Sequence, residues 1–350
     1  MAQRVTIKDV ARVADVSIRT VSNVINNKGR MRPETRAHVQ QVIDDLGYTV
    51  NPTAQSLKRG VSDVIGIALP SGRVRFFFRA IEPIIAAART RGFSVVISTY
   101  EDVPGGLEAI APAARKTGAA GWFYYIIHEL EDGGAVLDQD WPVVLWGDYL
   151  TYGHADQVAV PYTGVFDAMT DRLIESGRRT IAMVGAPERW RIDRWEEPRQ
   201  GGSRPRFAGY KHALERHGLE VNLDLVECDV PWNRRTGLRA AARMLDEGLR
   251  PDAFVCSTDA VAFGVMHELE RRGLRVPDDI AVTGFGNTEE SSYSSPTLTT
   301  IETNVADQAA EAVDLLISRI NGDTSPWRVL QGHCEIVERE SSGTLATPGQ

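Results

Sequence analysis

Residues 6–26, TIKDVARVADVSIRTVSNVIN, read as two short helices joined by a tight turn. Thr6 can cap the first helix, with Asp9 at the third helical position to reciprocate. Ile7, Val10, Ala11 and Ala14 recur at helical spacing and point inward. Asp15 and Val16 make the turn, and Ser17 caps the second helix. There Val21, Val24 and Ile25 form the buried stripe, while Arg19, Ser22, Asn23 and Asn26 form the opposite one. Such a polar stripe carries donors and acceptors suited to base edges and phosphates in a major groove. A solvated helical hairpin is the plainer reading of this segment taken alone.

A third helix follows in RPETRAHVQQVIDDLGY, with Pro33 at its first position and Val39, Val42, Ile43 and Leu46 as its apolar stripe. Gly47 can take the left-handed conformation that stops it. The result is an all-α module of roughly 48 residues, near the lower limit for independent stability. Next, Asn51 can cap and Pro52 can start a segment of barely two turns ending at Gly60. Helices shorter than ~12–15 residues are marginal in water, so this one needs a partner, a second copy or DNA.

TVSNVIN, PETRAHVQQVIDDLGY and NPTAQSLKRG together resemble, without a gap from Thr6 to Gly60, the headpiece and hinge of the LacI/GalR family of bacterial transcription regulators. The resemblance implies groove contacts from Ser17, Ile18, Arg19, Ser22 and Asn23, and backbone contacts from Thr6, Asn26, Arg30, Thr35 and Tyr48. It implies hinge contacts from Asn51, Ala54, Leu57 and Lys58, Leu57 being the side chain wedged into the minor groove. Where the family usually has Arg, this chain has Asn23, and Asn favours adenine where Arg favours guanine. Ile18 lies at the edge of the apolar stripe, where it either meets a thymine methyl or simply packs.

Length suggests two or three domains at roughly 100–200 residues each. The charge is split: residues 1–60 carry ten Lys/Arg against five Asp/Glu, while the whole chain has a net charge of −8. The basic patch is therefore confined to the N-terminal module. No apolar run approaches the ~20 residues of a membrane span and no signal peptide precedes the basic start, so a cytoplasmic location is expected. Cys228, Cys256 and Cys334 are few and scattered, as reduced core thiols would be, and neither a metal nor a cofactor is expected.

Beyond Val61, apolar runs alternate with amphipathic helices. DVIGIAL, FSVVIS, AAGWFYY and PVVLW form one series of buried strands; TIAMVG, LVECDV, DAFVCS and DIAVTGF form a second. Helices fall near 77–91, 106–116, 162–177, 206–217, 235–247 and 259–273, and TNVADQAAEAVDLLISRI makes a further one. Two such series predict two α/β lobes with parallel sheets and a ligand cleft between them. IALP, IESGRRTIAMVGAP, SRPRFAGYKHAL, GLRVPDDIAVTGF and SPTLTTIE are similar to the family's effector domain, which has the periplasmic-binding-protein fold. The resemblance implies three crossings between lobes and a symmetric homodimer. The fold expected is thus an all-α helix-turn-helix headpiece joined by a hinge helix to an α/β two-lobed periplasmic-binding-protein-like domain. Its expected divisions are a headpiece over 1–49, a hinge over 50–61, an effector-binding and dimerisation domain over 62–340, and a disordered tail over 341–350.

In the cleft, Arg206 matches the arginine that family members use on sugar hydroxyls or a corepressor's polar edge, a salt bridge at a helix start being the alternative. Trp232 lies close to the aromatic that stacks on a sugar ring, core packing being the alternative. Asp259 matches an acid whose expected role is structural. Thr258, Gly286, Asn287 and Trp146 stand where amides or acids are usual, so the hydrogen-bond pattern departs from the family's common one. Thr258, Asn287, Trp146 and Phe77, one of three phenylalanines after the first strand, complete the candidate ligand set. The loop from Glu188 to Gly202, with Trp190 and Trp195, is either pocket wall or surface excursion.

An α/β enzyme and a sugar-binding transport receptor are the competing classes. There is no G-x-S-x-G elbow and no P-loop, and His128-Glu129 lacks the second histidine of HExxH. Asp138, Asp140 and Asp148 read as a solvated rim. A receptor would not explain the headpiece. The expected protein is a transcriptional regulator that binds double-stranded operator DNA as a homodimer, away from the membrane, under control of a small effector, expected to be a carbohydrate.

Overall fold

Thr6 and Asp9 build the predicted capping box: Thr6 Oγ1 accepts the Asp9 amide at 3.4 Å, and Asp9 Oδ2 accepts the Thr6 amide at 3.0 Å. This is seen in a computed structural model that describes residues 5–25, 28–29, 31–48, 62–71, 74–101, 105–187, 202–228 and 231–344, excluding the side chains of 74–78, 80, 131 and 132. The chain divides into two compact units, Met1–Asp63 and Val64–Gln350.

In the first unit, helix α1 (Ile7–Val13) is followed by α2 (Ile18–Ile25) and α3 (Pro33–Asp45). The turn between α1 and α2 places Asp15 at φ 51°, a left-handed conformation that Asp tolerates better than branched residues. Ser17 Oγ then accepts the Thr20 amide at 3.1 Å, capping α2. Val10, Ala11, Ala14, Val21, Val24, Val39, Val42 and Ile43 close a single core, as their spacing predicts.

The second unit holds two parallel sheets. The N-lobe sheet has six strands: β1 (Val64–Pro70), β2 (Ser94–Tyr100), β3 (Trp122–Tyr125), β4 (Val143–Trp146), β5 (Asp156–Ala159) and β11 (Val329–Gln331), in the order β11-β5-β4-β3-β1-β2. Register runs from Val64 opposite Ser94 to Pro70 opposite Tyr100, and Trp122 pairs with Gly66. Gly66 is needed there for space: a Cβ would stand 2.2 Å from the Trp122 ring. Ile65, Ile67 and Leu69 pack against Ile81 and Ile84 of α4 (Val74–Thr90) and Leu315 and Leu316 of α10 (Val305–Ile320). Trp122, Tyr124 and Leu145 face the other way onto α5 (Ile110–Thr117), through Ile110 and Ala114. Burial of such side chains stabilises the lobe by ~1.5–3 kcal/mol each.

The C-lobe sheet is β6 (Ile181–Val184), β7 (Val226–Glu227), β8 (Ala253–Cys256) and β9 (Ala281–Thr283), ordered β7-β6-β8-β9. One face covers Phe166 of α6 (Tyr162–Glu175) and Phe207 and Tyr210 of α7 (Ser203–Arg216). The other covers Met244 of α8 (Arg234–Asp246) and Val261, Val265 and Leu269 of α9 (Asp259–Arg271). A two-stranded antiparallel ribbon, β10 (Thr300–Glu302) with β12 (Glu335–Val337), completes the unit.

The chain passes between lobes three times, after β5, after β10 and after β11, as the resemblance implies. Two features differ from expectation. β5 and β11 were not apparent as strands, because β5 opens on Asp156, an acid 0% exposed that is neutralised by Arg319 from α10 at 2.7 Å. The predicted disordered tail begins too early: Ser341 and Ser342 are 0% and 2% exposed, with Ser341 Oγ donating to the Val282 carbonyl at 2.6 Å. These residues seal the end of β9 and belong to the domain. Among the described residues, no helix is long and apolar enough to cross a membrane.

Candidate functional site

The packing of the headpiece decides which side chains α2 can present. Val21 and Val24, 0% and 6% exposed, turn inward, so Arg19, Ser22 and Asn23 lie toward the opposite side, with Ile18 at the edge of the apolar face and Ser17 at the cap. Ile18, at that edge, is 46% exposed. Asn23 lies against Gly29: a Cβ at Gly29, where φ is +80°, would stand 3.1 Å from Asn23 Nδ2. The bend after α2 thus positions a side chain of the candidate interface. Thr35 is half-buried on α3, and Tyr48 packs on the headpiece core. Thr6 is committed locally, its hydroxyl donating to Asp9 Oδ2 at 2.7 Å. Asn26, Arg30, Asn51, Ala54, Leu57 and Lys58 lie outside the described residues.

In the second unit the cleft is organised around Arg206, which is 1% exposed. Its Cζ lies 3.7 Å from the Tyr162 ring centroid, 4.8 Å from those of Trp232 and Phe285, and 5.6 Å from that of Phe166. Nη1 donates to the Gly202 carbonyl at 2.6 Å. Cation–π contact compensates a buried guanidinium in part, at ~2 kcal/mol or more when desolvated. Both Arg206 Nε and Trp232 Nε1 are buried without a hydrogen-bond partner. The two groups that carry these donors are neighbours, the guanidinium carbon lying 4.8 Å from the indole centroid.

The other candidates are placed differently. Trp146 is 7% exposed and stacks on Tyr125 at 5.5 Å within the N-lobe core, because strand alternation turns it to the same face as Val144. Thr258 caps α9, accepting the Val261 amide at 3.3 Å. Asp259 accepts from Thr300 and, at 2.6 Å, from the Thr288 amide, and burial holds its carboxyl above the ordinary range. It ties together the segments flanking the cleft, the structural role expected of it. Asn287 donates to Glu302 at 2.8 Å and accepts from Arg339 at 2.7 Å. The side chain of Phe77 and the residues Trp190 and Trp195 lie outside the described set.

Sequence reasoning missed Asp148. Asp138 and Asp140 do pair at the surface, with His154 at 2.8 Å and Arg115 at 3.0 Å. Asp148 instead follows β4 at the carboxyl end of the sheet, where ligands of parallel sheets bind. Its Oδ1 accepts the Val160 amide, in the first crossing, at 3.3 Å. Burial pushes its carboxyl up to about 6, although the Arg206 guanidinium pulls the other way. Burial likewise pushes the Cys334 thiol, in the third crossing, up to about 12. Among the described residues no cluster of His, Cys, Asp and Glu could hold a metal ion.

Comparison with known proteins agrees with both halves. Residues 6–51 match the family of bacterial regulatory proteins, lacI family, and residues 170–342 match the periplasmic binding protein-like domain. The chain is 30% identical over 353 residues to the HTH-type transcriptional repressor PurR of Vibrio atlanticus, covering 97% of this chain and 99% of the relative. It is 30% identical over 341 residues to catabolite control protein A of Priestia megaterium, with the same coverage of 97% and 99%. Among solved structures, the lac repressor dimer bound to operator and the anti-inducer ONPF superimposes with a TM-score of 0.85 at 26% identity, over 97% of this chain and 99% of that one. The protein is a transcriptional repressor with a DNA-binding headpiece and a ligand-binding domain, not an enzyme, and it belongs to the LacI family of bacterial regulatory proteins.

Proposed function

We propose that the protein binds a near-palindromic operator as a homodimer in the bacterial cytoplasm, and that a small ligand, a sugar or sugar derivative, controls it from the cleft between its two lobes. The headpiece spans 1–49 and the hinge 50–61. The observation that carries the DNA half is the presented side of α2. There Ile18, 46% exposed, offers apolar contact to a thymine methyl beside Arg19, Ser22 and Asn23. Two such helices enter successive major grooves about one helical turn apart. Leu57 of each hinge wedges into the minor groove at the centre. The Arg206 cage supports the cleft as the ligand site, since its aromatic walls suit a sugar ring and its two free donors suit polar substituents. Ligand alters operator affinity through its differential binding to two states of the domain.

Exposed apolar side chains support a dimer. Ile97, on edge strand β2, is 45% exposed, and Tyr293, 79% exposed, lines a groove of about 510 Å³ with Phe263 and Arg234. The test is selection of operator sequences by the full-length protein, alongside its Asn23→Arg variant. A symmetric site is expected, with one base pair in each half moving from adenine toward guanine preference. An asymmetric site would refute the dimer geometry, and an unchanged profile would remove Asn23 from the readout. Leu57→Ala should abolish the DNA bend; a bend left intact would refute the wedge.

A further inference from the structure

We propose that Glu302 is a catch on the second crossing: it holds two left-handed residues in place, and Arg79 of the N-lobe completes it only while the lobes keep the arrangement seen here. This rests on the reading that a ligand acts by shifting the domain between two states. Among the described residues, four other than glycine have positive φ, and two of them, Asn287 at 44° and Asn304 at 47°, meet at this one side chain. Asn287 follows β9 in the C-lobe, and Asn304 stands between β10 and α10, where the chain re-enters the N-lobe. A residue with a side chain pays for such a backbone, and the conformation persists only where its surroundings impose it.

The Glu302 carboxylate supplies what imposes it. Oε1 accepts the Thr303 amide at 2.7 Å and the Asn304 amide at 3.0 Å, the two amides of the crossing itself. Asn304 makes no side-chain cap to α10, so these backbone bonds are what fix it. Oε2 accepts Asn287 Nδ2 at 2.8 Å. Asn287 is fixed from its other end, where Oδ1 accepts Arg339 Nη2 at 2.7 Å and Ser291 Oγ at 3.2 Å, so its amide nitrogen must face Glu302. These three contacts lie within the C-lobe and the crossing. The fourth does not: Arg79 Nη2, from α4 of the N-lobe, lies 3.5 Å from the same Oε2. It is the longest of the four and the most open to water, Arg79 being 46% exposed against 17% for Glu302, so a change of lobe angle breaks it first. Its loss leaves Oε2 with a single donor and loosens the carboxylate over a strained backbone. A strained turn under a catch that weakens as the lobes move has two positions, not a continuous bend. The side chains of Arg73 and Arg75, the other cations at the start of α4, lie outside the described residues.

The test is amide hydrogen exchange of the full-length protein, read at Thr303 and Asn304, alongside its affinity for the selected operator. Arg79→Gln should speed exchange of these two amides about threefold, leave the β8 amides unchanged and shift operator affinity by about threefold or more. Arg75→Gln is the control and should do neither. Glu302→Gln keeps one oxygen for the two amides but turns a donor toward Asn287 and Arg79. It should speed exchange about tenfold, and Arg79→Gln should then add nothing. Asn304→Gly removes the cost of the left-handed backbone, so joined to Arg79→Gln it should return both readouts to within about twofold of the parent. Exchange at the crossing unmoved by Arg79→Gln overturns the catch, as do additive effects of Arg79→Gln and Glu302→Gln. Faster exchange with unchanged operator affinity makes the contact a local brace and overturns the switch. Absence of rescue by Asn304→Gly overturns the role of strain. If Glu302→Gln loses protection throughout the second unit, Arg79→Gln with and without Asn304→Gly decides. All of these are read without ligand, so they hold or fail independently of whether a sugar controls operator binding.

Discussion

Replacing Asp156 with alanine should be among the most damaging single changes in the second unit. The Asp156 carboxylate is 0% exposed and accepts from Arg319 Nε at 2.7 Å, Arg319 Nη2 at 3.0 Å and the Arg328 amide at 2.7 Å. Arg319, 6% exposed, also donates to the carbonyls of Asp323, Ser325 and Pro326 at 2.9, 2.6 and 3.1 Å. Three carbonyls solvate the guanidinium without neutralising it, and the Asp323 carboxylate, 3.8 Å from Nη1, pairs with it less closely than Asp156 does. Asp156→Ala leaves a buried cation, at a cost of about 3–5 kcal/mol. That is on the order of a 10 °C loss of melting temperature for a unit of this size. Arg319→Met should cost a similar amount through the stranded carboxylate. The double variant, Asp156→Leu with Arg319→Met, should cost less than the sum of the singles by at least about 2 kcal/mol, because neither charge is left unpaired. Urea unfolding followed by tryptophan fluorescence reads this, since all seven tryptophans lie beyond residue 63. If the two changes add to within about 0.5 kcal/mol, the pair is not coupled and the argument fails.

Other expectations are simpler. Gly29→Ala requires a side chain at φ +80° and 3.1 Å from Asn23, so it should weaken operator binding in gel-shift assays while the effector domain keeps its melting point. Gly66→Ala would press a Cβ to 2.2 Å of the Trp122 ring and should destabilise the N-lobe by roughly 1–3 kcal/mol in urea unfolding. The Glu268 carboxyl is held down at about 2 by hydrogen bonds from Arg271, with Arg272 adding to the effect. Its contribution is present above the ordinary carboxylate range and lost as pH falls through it toward 2, so Glu268→Gln should flatten the acid limb of a melting-temperature profile.

The headpiece was legible because its instructions are local. Thr6, Ser17 and Pro33 act within one turn of where they stand, and the valine stripes of α2 and α3 need only helical spacing. The longer strands were legible as apolar runs. β5 was not, since the partner that makes Asp156 tolerable in a strand stands 163 residues away. The same limit governs the site. Arg206 was found by resemblance, whereas Asp148 had no local mark to distinguish it from Asp138 or Asp140; only the end of the sheet at which it emerges does so. Trp146 failed differently. Its position after the resemblance suggested the cleft, while alternation along a four-residue strand sends it to the core beside Tyr125.

The three crossings bear on how the protein is made. Neither lobe is continuous in the chain: the N-lobe sheet ends with β5 at Ala159 and resumes only with α10 and β11, which closes at Gln331. At a synthesis rate of about 5–20 residues per second, the ribosome works for roughly 10–30 s between them. During that interval the nascent N-lobe lacks Leu315 and Leu316 from its core, and the β5 edge stands unpaired. Asp156 then carries a charge that no foreign strand can bury cheaply, which guards the open edge against pairing with a neighbouring chain. When α10 emerges, Arg319 neutralises that charge, and β11 covers the edge. The residue that looks least suited to a strand is the one that keeps the unfinished sheet from joining the wrong one.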